Sequence, residues 1–362
     1  MPLLMDAFDL GLNRAGLLMS VFSITGLVLA LPAGFIYQKI GHRAIFTVAL
    51  LCMIVGSAIG ALSSHAAPML LSRVIEGMGF CLVTMAAPPI IGMLFHGAGR
   101  GKAMGIWVVY VPLGQMITFG IAPLITLQWG WRGVWWWACA YTLVAGLLFR
   151  LFVKPVSAAR GAHVPSGTRL TKKEAARVLR NRDLWLLSLL FLCFNFVFIG
   201  FRTWMPTFLY QARNISPRYG SWLMALMSVF IIASSLFAGW VCDRVPSRRT
   251  ISLVPMALFA VLFPLTYYLS PGMLIPWLIL LGLACSFVPT AVFVTAAEMI
   301  RDERLGGMTI AVIQLGQNAG MLLGPSVLGW LAAEMGGWQV AFWALAPVSA
   351  LGAVAVWLSK VR

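Results

Sequence analysis

Seven apolar runs of this chain, at 16–37, 44–63, 103–126, 219–241, 250–270, 306–333 and 337–359, contain no Asp, Glu, Lys or Arg. About twenty such residues are enough to cross the hydrocarbon core of a bilayer as a helix. Water cannot satisfy backbone N–H and C=O groups there, so the chain must bond to itself. Four further runs, at 68–95, 131–153, 184–211 and 272–299, carry one or two charges each. A soluble domain of 362 residues could not cover itself with 10% charged side chains at a mean hydropathy of +0.92. The fold class is therefore an all-α membrane protein with eleven predicted transmembrane helices.

The formal net charge of +16 describes topology rather than an anionic polymer partner. If the loops after 37, 95, 153, 241 and 299 share one side, twenty of the 26 Lys and Arg lie on that side. Arg14, Arg132, Arg213 and Arg218 lie opposite, and Arg73 and Arg202 fall within helices. This is the positive-inside pattern. It predicts a multi-pass protein of the cell inner (cytoplasmic) membrane, with the central loop and C-terminus cytoplasmic. Its partners are the lipid bilayer and a small solute. No basic face on a soluble module is present for nucleic acid, and no obligate protein partner is evident.

The six cysteines sit on separate predicted helices without paired spacing, as small packed residues do. His42, His65, His96 and His163 are scattered, so no catalytic or metal site and no cofactor is expected. "GAGRGKA" at 97–103 mimics a phosphate-binding loop, but His96 stands where its first Gly should be and Ala103 where Ser or Thr is needed. Energy must then come from a gradient rather than from nucleotide hydrolysis.

The long polar segment 154–183 separates a half at 1–153 from a half at 184–362. Within it, Thr171 and Glu174 form a capping-box pattern, which predicts a short basic helix lying on anionic headgroups. The halves repeat. "GFIYQKIGHR" at 34–43 returns as "GWVCDRVPSR" at 239–248, "LGQ" at 113–115 returns at 315–317, Pro123 as Pro325 and Arg100 as Arg304. "GWRGVWWWA" at 130–138 resembles "GWQVAFWAL" at 337–345. Internal duplication of this kind is common in secondary transporters, with a solute site between the halves near mid-membrane.

Gly34, Lys39, Gly41 and Arg43, and again Gly239, Asp243, Arg244, Arg248 and Arg249, resemble the two copies of the signature loop of the major facilitator superfamily. "RVIEGMG" at 73–79 is similar to that family's fourth-helix motif, with Glu76 where Gln is usual. The resemblance implies a two-fold pseudo-repeat bundle of twelve helices, with both loops at the cytoplasmic gate. There Asp243 would accept hydrogen bonds from a helix N-terminus and pair with Arg across the halves. Gln38 replaces the corresponding Asp in the first copy, so that latch is expected to be weaker. "MPLLM" at 1–5 aligns with "MPTFL" at 205–209, the end of the seventh family helix. By the repeat, the first family helix is missing: either another helix lies before Met1, which is the preferred reading, or an eleven-helix form lacks one wall of its cavity.

Charges inside a membrane are costly and are candidate functional groups. Arg202 and Asn195, seven apart on one helix, form a candidate anion contact. Gln314, Gln317 and Asn318 in the second half, with Tyr110 and Gln115 (and Thr118) in the first, are candidates to line a polar cavity or to hydrogen-bond between helices. Arg73 and Glu76, three apart, face each other on a helix. They are either a packing pair or a proton-coupling site in which Glu76 takes up the proton. Glu298, at a helix end, is expected to contact the loop. The expected function is a secondary transporter of an organic or inorganic anion with proton coupling. The alternatives are an exporter of amphipathic compounds, given the Met and Trp content, or a non-transporting membrane sensor. A membrane enzyme ranks last.

Overall fold

A computed structural model describes residues 2–40, 42–94, 99–152, 176, 178–245, 247–299 and 305–360. All regular structure among them is helical. The first half contains α1 (Pro2–Phe8), α2 (Leu12–Ile40), α3 (His42–Leu62), α4 (Ala66–Leu94), α5 (Arg100–Val108) and α6 (Tyr110–Phe152). The second contains α7 (Arg182–Arg213), α8 (Pro217–Arg244), α9 (Arg248–Leu265), α10 (Leu274–Cys285), α11 (Phe287–Met299), α12 (Gly306–Glu334), α13 (Gly337–Trp343) and α14 (Leu345–Leu358). Among the described residues, eight stretches are long and apolar enough to cross a membrane by length and composition. One of them, Gly101–Leu151, is far longer than a single span needs and is kinked at Gly130, where φ is 63° and ψ −169°. Only glycine takes that conformation without strain. The helices α2 and α12, of 29 residues each, are about 43 Å long at the usual rise.

Two spans are interrupted where proline predicts it. Pro112 has no N–H for the Val108 carbonyl, and α5 gives way to α6 at Val109. Pro289 likewise has none for Cys285, and α10 gives way to α11 at Ser286. The starts of α7 and α8 are capped by side chains. Asn181 accepts from Asp183 N–H (3.0 Å), and Ser216 from Tyr219 N–H (3.3 Å), satisfying otherwise orphaned donors. Asp183 in turn accepts from the Lys360 N–H at 3.0 Å, tying the C-terminal end to the start of the second half.

The second half packs around α7, on which Phe191, Phe201, Trp204 and Phe208 are all at most 2% exposed. Two seams join the halves. Along one, α2 lies against α12: Ser326 donates to Ser20 (2.9 Å), and the Gly26 backbone abuts the Asn318 amide. At the other, α5 crosses α8 where Gly101 and Gly105 meet Gly239; a Cβ on Gly105 would sit 2.8 Å from the Ser235 carbonyl oxygen. Within the second half, Gly316, Gly320 and Gly324 set α12 directly on the backbone of α7 at Ser188, Leu192 and Phe196. A Cβ at the repeat-equivalent Gly114 of α6 would meet nothing within 4 Å among the described residues.

Candidate functional site

Arg202 lies two-thirds of the way along α7 and is 3% exposed. Its Nη2 donates to Ser228 Oγ on α8 (2.7 Å) and at 3.4 Å to the Met224 carbonyl, while Nε and Nη1 have no hydrogen-bond partner among the described residues. Two phenyl rings flank it, Phe198 from α7 and Phe119 from α6 of the other half, each centroid 5.4 Å from the guanidinium carbon. Among the described residues the ion pairs are Arg73 with Glu76 and Arg248 with Glu298, so no carboxylate neutralises Arg202. A cation buried between the halves without a counter-ion is electrostatically incomplete.

The remaining solute-contact candidates do not converge on the guanidinium. Asn195 turns its amide onto its own helix, donating to Phe191 O at 2.8 Å, and its Cβ lies against Gly320. Gln314 and Gln317 occupy a strip of α12 between its α2-facing and α7-facing sides. Among the described residues, both Gln314 amide atoms and the Gln317 Oε1 are buried without a partner. Asn318 donates to Gln314 O at 2.8 Å. In the first half, Gln115 Oε1 is also buried and unpartnered, and the Tyr110 ring packs 5.2 Å from Trp107. Gly316, beside Gln317, touches Ser188, which lies fourteen residues before Arg202, about 21 Å along α7. The α12 amides and the guanidinium therefore lie at different depths along the seam.

Glu76 and Arg73 meet as their spacing predicts. Glu76 accepts from Ser57 Oγ of α3 at 2.6 Å, and Arg73 lies 5.0 Å from the Trp135 ring of α6. The pair is thus held within the first half, facing α3 and α6 rather than α7 or α12.

At the loop end, Asp243 caps α5 across the seam: Oδ1 accepts from Gly101 N–H (3.0 Å) and Oδ2 from Lys102 N–H (3.2 Å). Among the described residues no arginine pairs with it. Arg248 instead donates to the Cys242 and Val245 carbonyls at the end of α8 and bonds Glu298 at 2.8 Å. Arg244 covers the Trp240 ring at 3.9 Å, and Arg249 lies over Trp357 at 5.6 Å. Of the first copy, Gly41 lies outside the described residues, and only the helical backbone of Gly34, Lys39 and Arg43 is described. The expected linker helix with its Thr171–Glu174 box lies outside them as well.

Phe119 and Ser228, the neighbours that define the surroundings of Arg202, carried no signal in the sequence. An isolated Phe or Ser in an apolar run is indistinguishable from packing.

Two repeated helical halves, joined along close seams and burying an unpaired cation between them, define a multi-pass membrane protein built on an internal duplication. A family model described as Major Facilitator Superfamily matches residues 1–220 and 208–362, and the chain belongs to that superfamily of transporters. It is 27% identical over 221 residues to the glycerol-3-phosphate transporter of Bacillus subtilis (strain 168), covering 54% of this chain and 48% of that protein. The chain therefore spans about half the length of that relative. It is 20% identical over 355 residues to the hexuronate transporter of the same organism, covering 94% and 84%. The fold matches the crystal structure of the human organic anion transporter MFSD10 with a TM-score of 0.75 and 17% identity, over 94% of this chain and 83% of that one.

Proposed function

We propose that the protein is a secondary carrier that moves a small organic anion across the cytoplasmic membrane by alternating access. The halves 1–153 and 184–362, joined by 154–183, would rock about the seams described above. The observation that carries this reading is Arg202: buried between the halves, with two nitrogens lacking a hydrogen-bond acceptor and no carboxylate beside it among the described residues. An entering anion completes it. Asn195 and the carboxamides of Gln115, Gln314, Gln317 and Asn318, with Tyr110, line the route. The Asp243 end faces the cytoplasm, where this carboxylate and Arg244, Arg248 and Arg249 hold the inner gate. The relatives named for glycerol 3-phosphate and hexuronate transport are consistent with an anionic solute.

Uptake of radiolabelled glucuronate and glycerol 3-phosphate into proteoliposomes tests the reading. Removing one partner of a buried charge contact costs about 3 kcal/mol or more. Arg202→Gln should therefore raise KM roughly a hundredfold while the protein still reaches the membrane. Unchanged uptake by that variant would remove Arg202 from the site. Proton coupling, placed at Glu76, is tested separately: Glu76→Gln should abolish the response of uptake to an imposed pH gradient.

A further inference from the structure

A buried guanidinium with no counter-ion among the described residues poses a problem for a carrier that must also close empty. Of the groups around Arg202, Ser228, Met224 and Phe198 belong to the second half and move with it. Phe119 belongs to α6 of the first half. Its ring is the neighbour that an opening of the seam takes away and a closing returns.

We propose that Phe119 is a removable cover for the Arg202 guanidinium, a positioning residue that allows the unloaded carrier to close and return. The inference rests on Arg202 being the anion contact. A ring face attracts a desolvated cation strongly enough to shift an equilibrium on the order of tenfold. When the halves part around Arg202, Phe119 withdraws with α6 and the cation is presented to a solute. When they close over a bound anion, the anion compensates the charge and the ring matters little. When they close empty, Phe119 is the compensation the first half supplies. The ring should therefore matter for net flux, which requires the empty return, and much less for exchange, which uses loaded transitions only.

The full-length protein in proteoliposomes, with radiolabelled glucuronate and glycerol 3-phosphate as probes, separates these two modes. Phe119→Leu keeps an apolar side chain of similar size but no ring. It should slow net efflux about tenfold more than it slows counterflow, and Phe119→Tyr should restore the wild-type ratio. Equal slowing of the two modes, or failure of Phe119→Tyr to rescue, would overturn the proposal. A solute-free measurement supports or overturns it independently. Phe119→Leu should lower the thermal unfolding midpoint in the wild-type background and not in Arg202→Gln. The same drop in both backgrounds would make Phe119 simple packing. Wild-type uptake by Arg202→Gln would sink the anion reading itself, whereas loss of uptake there with equal slowing in Phe119→Leu would sink only the cover.

Discussion

Replacing Asp243 by Asn tests whether the α5–α8 crossing is a gate. In the closed seam the carboxylate accepts from the Gly101 and Lys102 N–H groups, at 3.0 and 3.2 Å, at the first turn of α5. The amide keeps one acceptor, loses the charge that the helix N-terminus favours, and turns an N–H₂ toward a backbone donor. Hydrogen bonds to a charged group contribute about 1.5–3 kcal/mol net, and the helix-end charge effect adds about 0.3–1 kcal/mol. Asp243 is only half-buried, which places the loss near the low end, about 1.5 kcal/mol, or roughly a tenfold shift from closed to open. Ser235 reports that shift. It is 0% exposed on α8, with its carbonyl against Gly105 of the other half. In a Ser235→Cys background, maleimide labelling in membranes should run about tenfold faster with Asp243→Asn. Asp243→Glu, which keeps the charge on a longer arm, should fall between. Labelling that is unchanged or slower in Asp243→Asn would show that the Asp243–α5 contact does not hold the seam, and the gating argument would fail.

Two further predictions concern packing. Glu76→Ala leaves the Arg73 cation buried with its counter-charge gone and should cost about 3–5 kcal/mol in denaturant unfolding. The double substitution Arg73→Met, Glu76→Leu should recover most of that loss. Gly316→Ala drives a methyl group into the Ser188 backbone of α7 and should cost about 1–3 kcal/mol. Gly114→Ala, its equivalent by the repeat, meets nothing within 4 Å and should leave the unfolding midpoint near wild type.

Much of the architecture was legible because a bilayer leaves the chain few choices. The apolar runs had to be helices of a set length, and the described residues of the eleven are helical apart from short breaks and run ends. The breaks beside Pro112 and Pro289 and the kink at Gly130 were not singled out in the sequence, although a missing N–H and a positive φ explain them once seen. The Arg73–Glu76 pair was legible from its i, i+3 spacing, and the contact of Glu298 with the signature loop from its place at a helix end. These are local properties: periodicity, a missing N–H, a sign of φ, a neighbour one turn away.

What the sequence could not determine by itself was which helix faces meet across the seams, because the apolar runs present similar faces all round. Tertiary structure alone put Phe119 beside Arg202 from the other half, turned Glu76 toward Ser57 of α3, and selected α5 as the helix whose first N–H groups Asp243 accepts from. It also separated the amides of α12 from the guanidinium of α7, which the sequence had grouped by residue type. The reason is physical. Residue type and helical spacing define a face, but the depth and rotation at which two faces meet follow from close backbone contacts such as those at Gly316 and Gly105. Those contacts exist only once distant parts of the chain have packed.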